Sequence, residues 1–422
     1  MGSADVENTD IEALRQDARE FAARFEGDFE RFDGVGSVEA EIEAFRLAHD
    51  RVREAGWFRY VVPEAYGGAN VRDLIAAGSS GPSGATVSVR VLSALRQSFA
   101  FRHAMLDLAF VEQGLGSYPI ALSLQAGGDD ETGREALAEV LRRTAGGELI
   151  PALGLTEAKA GSDLAGVATR AERLAGGGYA LTGAKTYITN VGVADYYTVL
   201  ARTSGEPGEP GERGGLTMFY VPHGSEGLAV RSFRVMAPHP IGEVLFDGVC
   251  VPDSYVLGEV GGGMDLALAN LARFRITVAA AANGFARRAL AESVAHLSTR
   301  EQFGRPLSSF QGLRFDLAEM DVRLRAAELL TAEAAERVDA GLDATAEVAR
   351  AKLYSTESAS WICDRAVQHH GGSGVRVGTV VERLFRDTRA LRIYEGTSEV
   401  QKLVLGKHVL ASTPRPDSHP SS

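Results

Sequence analysis

Glu395 sits between Tyr394 and Gly396, and Thr397-Ser398-Glu399 then opens a final helical stretch. Ser398 followed three residues later by Gln401 predicts a capping box, and Glu399 in the first turn suits the helix dipole. One carboxylate is thereby placed just outside a helix, beside an aromatic ring and a flexible glycine. Held there away from water, it would have a raised pKa and the capacity of a general base. The same residues equally suit a solvated glutamate in a turn, so this segment alone leaves both readings open.

A second stretch with chemical potential is Gly154-Leu155-Thr156-Glu157-Ala158-Lys159-Ala160-Gly161-Ser162-Asp163. A strand-like run leads into a turn whose glycines and small residues let backbone N–H groups point outward. That suits a carbonyl-rich ring edge and, farther along, a phosphate. Tyr187-Ile188-Thr189-Asn190 is another strand end, presenting a ring and a hydroxyl. Hairpin chemistry explains each stretch equally well on its own. Arg273 and Arg275 stand out in an apolar helical segment, because a buried guanidinium needs a partner. Cys250 and Cys363 lie far apart without CxxC or Cys/His spacing, so neither a disulfide framework nor a zinc site is expected.

The elements that must position these residues fall into three blocks. From Thr9 to about Thr144 the periodicity is helical, with Phe21, Phe25, Phe29 and Phe32 at three- and four-residue spacing. Phe45, Leu47 and Val52 continue in a second helix, and further runs are expected over 83–101, 103–114 and 131–144. Gly67-Gly68 and Gly78-Ser79-Ser80-Gly81 read as turns. From Ile150 short β-rich runs appear, at 149–156, 168–173, 179–182, 186–189, 196–201 and 216–221, then 228–234, 244–246 and 249–251. That spacing predicts an antiparallel sheet or small barrel. Gly205 to Gly215 is a Pro/Gly/Glu tract that reads as an exposed, mobile hairpin tip. Residues 264–297 are apolar almost all round, as in a central buried helix. Ser308 and Gln311 predict a second capping box. Leu313, Leu317, Met320, Leu324 and Ala327 follow with a bundle-like repeat, and another helix is expected from Asp343 to His370. The expected organisation is an N-terminal helical domain over 1–148, a β domain over 149–260 and a helical bundle over 261–411. A disordered tail over 412–422 completes it.

At 422 residues, two or three domains are expected. Hydrophobic residues at 45% and charged residues at 24% describe an ordinary globular protein. A formal net charge of −12 argues against a nucleic-acid or anionic-membrane surface. The most apolar run, Ile276 to Ala286, is too short to span a bilayer. The first twenty residues carry Asp5, Glu7, Asp10 and Glu12 and no apolar core, unlike a signal or transit peptide, so a cytoplasmic location is expected.

Taken together and in this order, the motifs resemble the acyl-CoA dehydrogenase family of flavoproteins. Gly154–Gly166 fits the first signature of that family, and Gln368-His369-His370-Gly371-Gly372-Ser373-Gly374-Val375, with Arg383 and Asp387, resembles the second. Val62-Pro63-Glu64-Ala65-Tyr66-Gly67-Gly68 and Glu301-Gln302-Phe303-Gly304-Arg305-Pro306-Leu307 match two further landmarks. The resemblance spans about residues 10 to 410. It implies an α+β, mostly α, fold with an N-terminal helical domain, a central antiparallel β domain and a C-terminal four-helix bundle.

The resemblance implies FAD as cofactor. Leu155, Thr156 and Ser162 would touch the flavin and its pyrophosphate, Tyr187 would cover the ring, and Thr189 would bond nearby. Arg300, Gln302, Phe303, Gln311, Gln368, Gly371 and Gly372 would reach the FAD of a neighbouring subunit, with Thr397 and Glu399 at the other end of the same cofactor. At least a homodimer follows, commonly a homotetramer. Glu395 falls on the position of the usual catalytic base, and Phe274 on an alternative base position that Phe cannot serve. Arg275, Ser162, Tyr394 and Gly396 would line the substrate site. The implied reaction is α,β-dehydrogenation of an acyl-CoA or acyl-carrier-protein thioester to the trans-2-enoyl product. Glu395 would take the α-proton, the β-hydride would go to the flavin, and the electrons would pass to an electron-transfer flavoprotein or similar acceptor.

Three departures bear on this reading. Gly378 replaces a usual acidic residue, and Ala158-Lys159 replaces a usual Pro-Gly. Ala272 replaces an Asp that usually works with the central-helix arginine, leaving Asn270 or Arg273 as candidate substitutes. A flavin-dependent monooxygenase or nitroalkane oxidase on the same fold is the competing reading. Glu395 disfavours it, because such relatives generally lack the Glu or carry Asp there. Acyl specificity is expected to come from about Leu108 to Leu115 and Arg273 to Val278.

Overall fold

A computed structural model describes residues 3–32, 36–71, 86–127, 130–208 and 214–412. The expected turn at Gly78–Gly81 and the tail after Ser412 lie outside the described residues, as do 209–213 of the Gly205–Gly215 tract.

Among the described residues the first block packs five helices: α1 (Ser3–Phe25), α2 (Val38–Glu54), α3 (Val89–Arg102), α4 (Ala104–Ala126) and α5 (Glu131–Ala145). Helix α1 stops at Phe25 and a 3-10 turn over Glu26–Phe32 continues the chain, so Phe29 is buried from that turn. The N-terminus of α3 is held from across the molecule by Asp339. Its carboxylate accepts from Ser88 Oγ (2.7 Å), the Val89 N–H (2.8 Å) and the Arg90 N–H (3.0 Å). An anion at the positive end of a helix is the favourable arrangement.

Helix α4 runs twelve residues beyond the expected stop at 114, straight through Pro119. Proline removes one helical donor, which orphans the Leu115 carbonyl four residues earlier. Asn270 on the central helix supplies the missing donor, its Nδ2 lying 3.0 Å from the Leu115 oxygen. The chain therefore stays helical through the proline.

The sheet strands are β1 (Pro151–Gly154), β2 (Arg170–Arg173), β3 (Tyr179–Thr189), β4 (Tyr196–Arg202), β5 (Leu216–Pro222), β6 (Leu228–Ser232), β7 (Ile241–Val251) and β8 (Val256–Leu257). Their order is β6-β7-β3-β2-β4-β5-β8, with β1 beside β4. Most pairs are antiparallel, but β1 and β2 each run parallel to β4. The runs expected at 179–182 and 186–189 are one strand. Register shifts around Gly183 and between Lys185 and Ile188 absorb the break.

After the sheet come α6 (Gly263–Thr299), a small hairpin of β9 (Glu301–Gln302) and β10 (Arg305–Pro306), then α7 (Gln311–Asp339), α8 (Thr345–His370), α9 (Val380–Leu391) and α10 (Ser398–Ser412). Ser308 does not cap α7. Phe310 occupies the N-cap without a side-chain bond, because Ser308 lies in a preceding 3-10 turn where its carbonyl accepts from Arg314 Nε at 2.7 Å. Central helix α6 serves two cores. Met264, Ala267, Leu271 and Phe274 join the N-terminal helices and the sheet, while Val278 to Ala289 join α7, α8 and α9. It is the rod to which both halves attach.

Candidate active site

Helix α9 ends at Leu391 and α10 begins at Ser398, so residues 392–397 form a tight connection over α8. Thr397, not Ser398, caps α10: its Oγ1 accepts the Val400 N–H at 3.2 Å. Ser398 is drawn away to donate to Glu357 at 2.6 Å, and Gln401 Nε2 reaches back to the Gly396 carbonyl at 3.2 Å. Glu395 itself adopts φ 53°, a left-handed conformation that costs a non-glycine residue of order 1 kcal/mol or more. Gly396 follows at φ 92°, where an added Cβ would come 2.6 Å from Gln401 Nε2. Only glycine fits there.

Two cations from below lock this turn by its carbonyls. Arg275 Nε donates to the Glu395 carbonyl at 2.7 Å, and Lys352 Nζ donates to the Gly396 carbonyl at 2.6 Å. The carboxylate is left over. Its Oε2 is buried without a hydrogen-bond partner among the described residues, and the Glu395 N–H likewise donates to none of them. Burial raises the Glu395 pKa, and the charges of Arg96, Arg275 and Lys352 only partly offset that. Burial also lowers the Lys352 ammonium to about 8. Tyr394 lies alongside, 38% exposed, within the field of Arg96, Glu395, Asp107 and Glu112.

The wall opposite is built by α3, α4 and α6. Arg96 on α3 is fully buried and makes a bidentate pair with Asp107 on α4 (2.7 Å for both contacts), while its third nitrogen reaches Thr277 Oγ1 on α6 at 2.9 Å. Phe274 lies on the same side of α6, its ring edge-on to Tyr118 at 5.7 Å. Gly114 on α4 permits this approach, since a Cβ there would fall 2.8 Å from the Phe274 ring. Arg273 and Asn270 are both committed away from the Glu395 turn. Arg273 donates to the Val87 carbonyl at 2.5 Å with Asp339 at 3.7 Å, and Asn270 faces α4. Neither stands beside Ala272 as a replacement for the usual acidic partner.

The second group of expected residues gathers at the end of β1. The carbonyls of Leu155 and Thr156 turn inward, accepting from Lys185 Nζ at 3.1 Å and the Thr186 N–H at 2.9 Å. Their N–H groups donate to no other described residue. Ser162 lies exposed on the following turn. The irregularity in β3 swings Tyr187 outward, with φ 57° and 63% of its surface exposed, its ring edge-on to Phe233 at 5.3 Å. Thr189 ends the same strand, half-buried.

A third group lies at the far end of the bundle. Arg300, Gln302, Gln311, Gln368, Gly371 and Gly372 are all exposed, and Phe303 projects with 93% of its surface open at φ 53°. His296 and His370 stack at 4.3 Å and bring the α6 and α8 ends together there. Thr397 and Glu399 lie instead at the start of α10, beside Glu395. Sequence reasoning missed Lys352, which holds the Glu395 turn, and the Arg96–Asp107 pair and Glu112, which lie within electrostatic reach of it. For the acids on α4 the available signal was two carboxylates in a helix with no other charged residue.

Comparison with known proteins converges on one family. The acyl-CoA dehydrogenase middle-domain profile matches residues 152–249, and the C-terminal-domain profile matches 261–410. An acyl-CoA dehydrogenase of Bacillus subtilis is 34% identical over 356 residues, covering 83% of this chain and 86% of that one. A 3-(aryl)acrylate reductase of Clostridium sporogenes is 39% identical over 286 residues, covering 67% and 74%. The solved butyryl-CoA dehydrogenase of Megasphaera elsdenii superposes with a TM-score of 0.79 at 31% identity, over 94% of this chain and 98% of that one.

Proposed function

This chain belongs to the acyl-CoA dehydrogenase family and is an oxidoreductase of that kind with FAD as its cofactor; we propose that it converts an acyl thioester to the trans-2-enoyl thioester, with Glu395 as the base. The observation that carries this reading is the Glu395 turn, whose carbonyls are pinned while its carboxylate and its N–H are both left unused. The α-proton of a thioester is weakly acidic, and donors to the carbonyl oxygen stabilise the charge that develops when it leaves. The free Glu395 N–H is one such donor, and the raised carboxylate pKa matches a base to that proton.

The residues present fit a flavin. The unused N–H groups of Leu155 and Thr156 suit the polar edge of the ring, with the exposed Tyr187 as its cover, Thr189 nearby and Ser162 toward the pyrophosphate. When bound, FAD supplies the acceptor for the β-hydride. Arg275 and Lys352 orient the base, while Phe274 and Tyr394 help to exclude water from the reacting carbons. Ala272 removes an acid from the carrier-binding side, which leaves room for an acyl-carrier-protein thioester as well as a CoA ester.

Oligomerisation belongs to the same proposal. Phe315, Val322 and Leu329 recur every seven residues along α7 with 53–63% of their surface exposed, and Phe303 projects beside them in sequence. Such a stripe is a seam for a second copy. That copy would bring Arg300, Gln302, Gln311, Gln368, Gly371 and Gly372 to a neighbouring FAD. An electron-transfer flavoprotein or similar acceptor would take the electrons. No helix among the described residues is long and apolar enough to cross a membrane.

The same carboxyl returns the proton when the reaction runs in reverse, in keeping with the similarity to a 3-(aryl)acrylate reductase. An anaerobic titration of the enzyme with a panel of acyl-CoAs, following the visible flavin absorbance, tests the proposal. Bleaching by at least one saturated thioester is expected. No bleaching by any thioester, together with oxygen consumption by NADH-reduced enzyme, would favour the monooxygenase reading instead.

A further inference from the structure

Glu112 lies in the middle of α4, 8% exposed, in the stretch expected to set acyl specificity. Its carboxyl makes no hydrogen bond or ion pair with any described residue. Five residues earlier on the same helix, Asp107 is also buried yet fully matched by Arg96. The charges that act on Glu112 are those of Glu395, Arg96 and Asp107, so it lies within electrostatic reach of the proposed base. Tyr394 feels Glu112 and Glu395 together. Burial and the nearby Glu395 charge push the Glu112 carboxyl up to about 8.

A buried polar group without a partner costs about 1–3 kcal/mol, more if charged, and calls for an explanation. An alkyl chain laid against Glu112 would leave it unsatisfied in the complex as well. The one cation acting on it offers no relief, because the guanidinium of Arg96 is spent on Asp107 and Thr277. Building on the dehydrogenase reading, we infer that Glu112 is a specificity residue of the acyl pocket and that the preferred acyl group carries a hydrogen-bond donor, a hydroxyl or an amine, in place of bare hydrocarbon. The donor satisfies the carboxyl, and a substrate without it leaves a desolvated polar group behind, which is the stronger form of discrimination.

The test compares acyl-CoAs of four to six carbons as matched sets, unsubstituted, hydroxylated at C4, C5 or C6, or aminated there, on wild type, Glu112→Gln and Glu112→Leu. Flavin reduction gives kcat/KM for each. Wild type is expected to prefer a donor-bearing substrate over its alkyl counterpart by about 10-fold or more, the equivalent of one hydrogen bond. Glu112→Leu loses that preference and gains on the alkyl series. If the donor is a hydroxyl, Glu112→Gln retains the preference; if it is an ammonium, Glu112→Gln loses it too. Flavin reduction by alkyl thioesters with the same donor-to-alkyl ratio in all three proteins would overturn this inference and leave the dehydrogenase reading standing. Failure of every thioester to reduce the flavin would overturn both. Far-ultraviolet circular dichroism and FAD content of each variant confirm that the comparison is between folded holoenzymes.

Discussion

Two buried acid–base clusters in this molecule are built to opposite ends. In the β domain, Lys185 is completely buried and donates to Glu157 at 2.7 Å and to the Leu155 carbonyl at 3.1 Å. Glu157 in turn accepts from the Ala168 and Thr169 N–H groups at 2.8 and 2.9 Å, so both its oxygens are used. Despite burial, the Lys185 charge and these donors hold the Glu157 carboxyl below its usual range. Around Glu395 there are also cations, but Arg275 and Lys352 spend their hydrogen bonds on backbone carbonyls. The Glu395 carboxyl stays high with its Oε2 left without a partner, and the Glu112 carboxyl stays high with no hydrogen bond to a described residue. A closed network specifies a fold, whereas an open one holds free energy ready for a ligand.

If that contrast holds, damage to the closed cluster appears as lost stability. Lys185→Met removes one partner of a buried pair and should cost about 3–5 kcal/mol of unfolding free energy in denaturant titrations. A loss below about 1 kcal/mol would show that the pair is not structural.

The open cluster should show the opposite sign. Because the Glu112 carboxyl stands at about 8 in the folded chain against an ordinary value of 4.5, the native state binds more protons between those values. Its contribution to stability is therefore fully present below pH about 4.5 and is lost as pH rises through about 8. Melting curves from pH 5 to 8.5 should fall more steeply for wild type than for Glu112→Gln, and Glu112→Leu should be the more stable protein at pH 8. Parallel curves for all three would contradict the assignment.

Smaller effects should separate positioning from packing. Lys352→Met removes the shorter of two hydrogen bonds to the Gly396 carbonyl and should lower kcat by about 10- to 100-fold, with substrate KM changed far less, because the base loses part of its orientation. Lys352→Arg should recover part of it. Gly114→Ala must displace the Phe274 ring and should cost about 1–3 kcal/mol of stability. A neutral Gly114→Ala would mean that α4 and α6 do not meet as closely as described.

The order of helices, sheet and helices was legible from periodicity and turn residues, and so was the run of strands. The bounds failed where the cause lay outside the local sequence. The helical run expected to stop at 114 continues through Pro119, because Asn270, far away in the chain, supplies the missing donor. A conventional capping reading chose Ser398, but Glu357 on α8 competes for its hydroxyl and Thr397 takes over. Glu395 was visible as a carboxylate beside a glycine. Its left-handed backbone, its unused N–H and the two cations that pin its peptide are properties of the folded turn. Glu112 was passed over because one acid in a helix usually faces water. Enclosure of α4 on all sides is what buries it.

The central claim is that the unsatisfied Glu395 carboxylate removes a proton from the substrate. Its most direct test is rapid anaerobic mixing of a saturated thioester with wild type and with Glu395→Gln, recording FAD content and flavin absorbance in the same samples. The expected result is bleaching of wild-type flavin and none in the variant, with FAD bound equally to both. A variant whose flavin is reduced at the wild-type rate would contradict the assignment of Glu395 as the base.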